Sequence, residues 1–220
     1  MPSVRTFAAT ALLACTLAGA LPAALAAPPA GRDQALSWLE QAETSKRAEA
    51  VVWLANHGAM QDAPLLERRL RDDDATVRSY AERALWLLWS RSGDPAIDKL
   101  MARGVDEMRA GHHARAIATF SAVIAQRPDF AEAWNKRATV YYLAGEHRKS
   151  IADCDEVLRR NPGHFGALSG AGQVWYALEE YDKALAAWRR ALEVNPNMVG
   201  VEMSIRSVEE LLKEKRGRAI

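Results

Sequence analysis

The residues best able to do chemistry are few and scattered. The five histidines, His57, His112, His113, His147 and His164, include no His-x-x-x-His pair with an acidic partner, so the usual helical zinc-hydrolase set is missing. There is no G-x-S-x-G turn for a nucleophile and no glycine-rich loop to cradle a phosphate. These absences point away from an enzyme, and no cofactor is expected. Asp72-Asp73-Asp74 is a run of carboxylates, but it lacks the alternating spacing and glycine of a calcium loop. Asp74 stands just before a helical stretch starting near Ala75, where its carboxylate can accept from the exposed amides of a first turn. His113 and His147 are the one metal-like pairing left, and their separation recurs elsewhere in the chain.

That separation belongs to the whole second half of the sequence. Pro128, Pro162 and Pro196 repeat at the same interval, and the residues before each proline carry one helical pattern of small and large apolar groups. The repeats run 97–130, 131–164 and 165–198. The middle copy carries Trp134, Ala138, Tyr141 and Pro162, with Ser150 and Cys154 at its small and large positions. The last has Leu168, Ala171, Gly172, Trp175, Ala184, Trp188 and Pro196, and the first has Leu100, Gly104, Ala116, Phe120 and Pro128. On these residues the segment resembles the tetratricopeptide repeat (TPR) family, whose pattern is W-x2-L-G-x2-Y, A-x3-F and P. Arg137 stands where leucine is usual; in the first copy Arg103 and Glu107 replace leucine and tyrosine, which is expected to weaken that helix.

The resemblance implies an all-α, helical-repeat solenoid of antiparallel helix pairs. Small residues such as Ala138 and Gly172 would let paired helices approach, large ones such as Trp134 and Trp188 would fill the core, and each proline would end a second helix. His113 and His147 fall where family members place an aromatic, as Tyr181 does here, so packing rings are favoured over ligands. Cys154 falls in a core column and reads as an inert small hydrophobe.

Upstream, residues 33–93 carry a looser repeat. Arg47, Ala50 and Leu54 recur at one constant offset as Arg78, Ala81 and Leu85, which resembles a short HEAT-like unit. Ser92-Gly93-Asp94-Pro95 follows, with glycine to close one helix and Asp94-Pro95 to open the next; so short a joint is expected to stack the two arrays as one solenoid. Residues 199–216 read as a C-terminal capping helix, with Val201, Ile205, Val208, Leu211 and Leu212 in one stripe.

Composition sets the compartment. The 220 residues are 49% hydrophobic and 26% charged, an ordinary globular balance. Residues 1–26 read as a signal peptide, with Arg5 ahead of an apolar stretch over 7–21, Pro22 ending it, and Ala24-Leu25-Ala26 marking cleavage before Ala27. No stable membrane span would remain, and the protein would be exported, to the periplasm if the source is a Gram-negative bacterium. The alternative is a lipoprotein anchored through Cys15, because Leu12-Leu13-Ala14-Cys15 loosely resembles a lipoprotein box. Without that segment the chain has 28 basic and 28 acidic groups, giving nucleic acid no docking field. Cys154 would be its only thiol, so packing alone must hold it together.

The working surface expected from the resemblance is the concave groove lined by the first helix of each pair. It would present Met101, Val105 and Met108 from the first repeat, Asn135, Lys136, Thr139 and Tyr142 from the second, and Ser169, Gln173 and Tyr176 from the third, all uncovered. Asn135 and Gln173 can pair with a peptide backbone, and the tyrosines offer rigid amphipathic area. Gly166 and Gly170 fall on the same face, where glycine would admit a closely approaching backbone. Some TPR domains clamp a C-terminal carboxylate with lysine, asparagine and arginine; here most of those columns hold Met101, Val105, Gly166 and Gly170, and only Lys136 is basic. The expected partner is therefore another protein or peptide, held by a monomer or by a hetero-complex subunit. The alternative is a permanent structural subunit of a cell-envelope complex.

Overall fold

The computed structural model describes residues 28–217, so the signal segment and Cys15 lie outside the described residues. All regular structure among the described residues is helical, as the repeat pattern predicts. The chain forms two compact units, one of residues up to Ser90 together with Asn195–Asn197, the other of Arg91–Val194 and Met198 onward.

The first unit contains α1 (Arg32–Leu39), α2 (Thr44–His57), a 3-10 turn (Met60–Asp62), α3 (Ala63–Arg69) and α4 (Ala75–Trp89). Arg32 and Thr44, which open α1 and α2, precede Ala63 and Ala75, which open α3 and α4, by the same offset that separates Arg47 from Arg78. The looser upstream repeat is thus a repeated helix pair. Its apolar signature is core: Ala50, Leu54, Ala81 and Leu85 are fully buried. The aspartates divide their work. Asp74 caps α4, one carboxylate oxygen accepting from the amides of Thr76 and Val77 at 2.8 and 3.2 Å. Burial pushes Asp72 up, but the Arg47 guanidinium, bonded to both its oxygens at 2.8 Å, and the amide of Asp74 hold it below the usual aspartate value.

The second unit contains α5 (Pro95–Arg109), α6 (His113–Gln126), α7 (Ala131–Leu143), α8 (His147–Arg160), α9 (Phe165–Ala177), α10 (Tyr181–Val194) and α11 (Val199–Gly217). Its start follows the sequence reading: Gly93 takes φ 78°, Asp94 caps α5 by accepting from Ala96 N at 2.8 Å, and Pro95 is the first helical residue. The turns inside the three helix pairs each place one residue in the left-handed region: Gly111, Gly145 and, one repeat further, Glu179 at φ 60°.

Size complementarity sets the spacing within each pair. A Cβ on Gly104 would lie 2.6 Å from the Phe120 ring, and one on Gly172 would lie 2.3 Å from the Trp188 ring. In the middle repeat the small residue is Ala138, which carries a Cβ, and its partner shrinks to Cys154 in the same buried cluster. The arginines at the leucine position are accommodated by charge. Arg137 forks onto both oxygens of Asp153 at 2.8 Å and donates to Ser121 Oγ at 2.9 Å, joining three helices. Arg103 donates to Glu107 at 3.0 Å and Thr119 Oγ1 to the other oxygen at 2.6 Å, so the two substitutions in the first repeat satisfy each other and α5 runs unbroken from Pro95 to Arg109. Trp188 is buried as expected. Trp134 is half-buried instead, with the guanidinium groups of Arg160 and Arg137 over its ring, 4.5 and 5.0 Å from its centre. The stripe of α11 formed by Val201, Ile205 and Val208 joins the Trp188 cluster, with Leu212 packed against it.

Candidate functional site: the inner face of the repeats

The repeat offset places the candidate residues in columns on α5, α7 and α9: Met101, Asn135 and Ser169; Val105, Thr139 and Gln173; Met108, Tyr142 and Tyr176. Their exposure differs from the sequence expectation. Met101, Asn135, Lys136 and Gln173 are buried, and Val105, Met108, Thr139, Tyr142, Gly166, Ser169, Gly170 and Tyr176 are half-buried, so the face is not the open one expected.

Local packing accounts for much of this. Met101 sits in a cluster with Ile97, Phe120 and Phe130, and Val105 and Met108 pack against the same cluster. Thr139 donates its hydroxyl to the carbonyl of Asn135 at 3.0 Å, satisfying itself within the helix. Tyr142 lies against His147 with ring centres 5.5 Å apart, and one repeat later Tyr176 lies against Tyr181 at 5.7 Å and Trp188 at 6.1 Å. His147 thus takes the part that Tyr181 plays in the next repeat, a packing ring at the helix turn. No group of three or more metal-ligating side chains occurs among the described residues.

Sequence reasoning missed the polar centre of the face. Glu132, in the first turn of α7, is 1% exposed and receives Asn135 Nδ2 at 2.9 Å, Lys136 Nζ at 2.9 Å and the Nε2 of His164, which is fully buried, at 3.1 Å. His164 Nδ1 accepts from Ala167 N at 3.1 Å and caps α9, so it is Nε2 that carries the proton toward Glu132. Burial raises the Glu132 carboxyl, but Lys136 and His164 outweigh it and hold the group at about 2. The spacing of Glu132 to Lys136, one helical turn, was a readable signal for this pair. The contribution of His164, from the last position of the same repeat, was not.

The two inner-face glycines differ in kind from Gly172. Gly170 lies inside α9 with nothing within 4 Å of where a Cβ would stand, so no neighbouring side chain demands glycine there. Gly166 is the second residue of α9, in the first turn, where glycine costs little. Cys154 is 3% exposed, and burial, helped by Asp155 and Asp153, pushes its thiol up to about 12.

Family models described as tetratricopeptide repeat match residues 101–165 and 165–198. Residues 101–198 are tetratricopeptide repeats. The helix pairs, the glycine-to-aromatic contacts and the repeating columns are the physical content of that match. Among solved structures, the TPR domain of Sgt2 from Aspergillus fumigatus is similar, with TM-score 0.55, 21% identity, and 58% of this chain and 85% of that one covered. The first TPR of Spaghetti (RPAP3), bound to the HSP90 peptide SRMEEVD, gives 0.52 and 21% over 53% of this chain and 93% of that one. The TPR2B domain of yeast Sti1, in a pHsp70 complex, gives 0.50 and 18% over 52% and 97%. No curated protein matches the sequence significantly. No helix among the described residues is long and apolar enough to cross a membrane.

Proposed function

We propose that the protein is an exported, non-enzymatic scaffold that holds a protein or peptide partner along the inner face of its TPR array. The observation that carries this reading is the repeating inner-face column, in which Tyr142, Ser169, Gly170 and Tyr176 keep part of their surface exposed and a Cβ on Gly170 would meet nothing within 4 Å. Two of the similar structures hold an HSP90 peptide or a pHsp70 complex, which supports a peptide-holding role for such an array. The chemistry here favours a different ligand from an acidic tail. Lys136, the basic residue of the face, already faces Glu132 at 2.9 Å, and Met101, Val105, Gly166 and Gly170 supply no further cation. A neutral segment that hydrogen-bonds through its backbone suits this surface better.

The second reading, a permanent subunit of an envelope complex, is favoured by Val199 and Met203, one turn apart on α11 and 66% and 59% exposed. Purification from the native source separates the two. A scaffold with a transient ligand is expected as a stable monomer whose partner leaves on dilution, and a subunit is expected to co-purify at fixed stoichiometry. Fractionation of the same cells tests export: recovery of a chain lacking residues 1–26 in the envelope fraction supports it, and an intact chain in the cytosol refutes it.

A further inference from the structure

In the first unit, the equivalent arginines of the two helix pairs do the same job with the backbone and different jobs with a side chain. Arg47 Nη1 donates to the carbonyls of Gln41 and Ala42 at 3.0 and 2.7 Å, and Arg78 Nη1 donates to those of Asp72 and Asp73 at 2.7 and 3.0 Å. Each guanidinium thus locks the loop leading into its own helix, α2 or α4. The rest of the Arg47 fork grips the Asp72 carboxylate in the loop of the following pair. Arg78 has no third pair to reach, because the offset from Arg47 to Arg78, applied to Asp72, leads to Arg103 inside α5.

Asn197 fills that place. Its Oδ1 accepts from Arg78 Nε at 3.1 Å, and its Nδ2 donates to the Leu70 carbonyl at 2.8 Å and to Asn195 Oδ1 at 3.0 Å. The Asn197 amide donates to the same Asn195 oxygen at 3.0 Å, and Asn195 is fully buried, so the short segment presents a preformed acceptor and donor. A helical-repeat array of two pairs is short of the stacking that such arrays need, and its open end requires a cap. We infer that Asn195–Asn197 is the closing rung of the N-terminal array, a strap from far along the sequence that gives Arg78 Nε the acceptor that Asp72 gives Arg47 Nε. The order of residues 28–90 then depends on a side chain at the very end of the last tetratricopeptide repeat in sequence.

Backbone amide exchange on the full chain tests this. Asn197→Ala is expected to speed exchange in α2 and α4 about tenfold, while the amides of 97–190 keep their rates. Arg78→Ala, which also gives up the Asp72 and Asp73 carbonyls, should speed it at least as much, and the double variant should exchange more slowly than the product of the two effects requires, because the Arg78–Asn197 bond is lost in each. Arg78→Lys, which keeps the charge and lacks the planar fork, is a gentler variant expected to shift in the same direction. Unchanged exchange in α2 and α4 for Asn197→Ala, or a double variant showing the full product, would overturn the inference.

Discussion

Gly172 and Trp188 are in contact so close that a single added methyl on the glycine would stand 2.3 Å from the indole ring. The ring is 3% exposed and its Nε1 is bonded to the Ser169 carbonyl at 3.2 Å, so it has no free direction in which to yield. Gly172→Ala is therefore expected to destabilise the protein by about 1 to 3 kcal/mol through overpacking, despite the better helix propensity of alanine. Chemical denaturation would measure it. A neutral or stabilising result would mean that the ring can move, and that size complementarity does not set the helix spacing.

Glu179 offers the opposite case. It occupies the left-handed turn position that Gly111 and Gly145 hold in the other repeats, at φ 60°. Glu179→Gly should raise stability by up to about 1 kcal/mol by relieving that strain, and the melting temperature reads it directly. A lower melting temperature would show that the side chain contributes more than its backbone conformation costs.

Burial of Cys154 should make it slow toward thiol reagents. With the thiol pushed up to about 12, almost none is thiolate at neutral pH, and the sulfur is enclosed as well. Labelling should be slow in the native protein and fast in denaturant. Native labelling at the unfolded rate would remove the residue from the core and break the repeat register.

Acid should weaken the second unit through Glu132. The folded carboxyl titrates at about 2, whereas in an unfolded chain it takes up a proton near its ordinary value of about 4.3. Its folded pKa is depressed, so the stabilisation is complete above roughly pH 4.5 and is lost as pH falls toward 2, on the order of 2 to 3 kcal/mol. Glu132→Gln should flatten that part of the pH dependence of the denaturation midpoint. An unchanged acid limb would show that the Lys136 and His164 contacts do not hold the charge.

Much of this architecture was legible because it rests on local rules. Asp74 and Asp94 cap the helices they precede, and the small and large positions at Gly104, Phe120, Gly172 and Trp188 face each other as the repeat pattern requires. What escaped was whatever depends on side chains brought together across helices. Arg137 read as a departure from a leucine, and nothing local announced that Asp153 and Ser121 would receive it. The exposure of the inner face was misjudged for a related reason: periodicity tells which face of a helix a residue occupies, while burial depends on what stands against that face. Tyr142 and Tyr176 are the clearest instances, since the rings expected to await a ligand already lie on His147, Tyr181 and Trp188.

The proposal that a partner lies along the inner face is tested most directly at Gly170, where added atoms meet nothing within 4 Å of the Cβ position and where leucine is a better helix former than glycine. Partner recovered from envelope extracts by the wild-type protein would be identified once, then titrated by calorimetry against the wild-type protein and Gly170→Leu. A melting temperature equal to or above wild type is expected together with at least a tenfold loss of affinity, because the leucine occupies the path of the bound segment. Undiminished binding by a folded Gly170→Leu protein would contradict it.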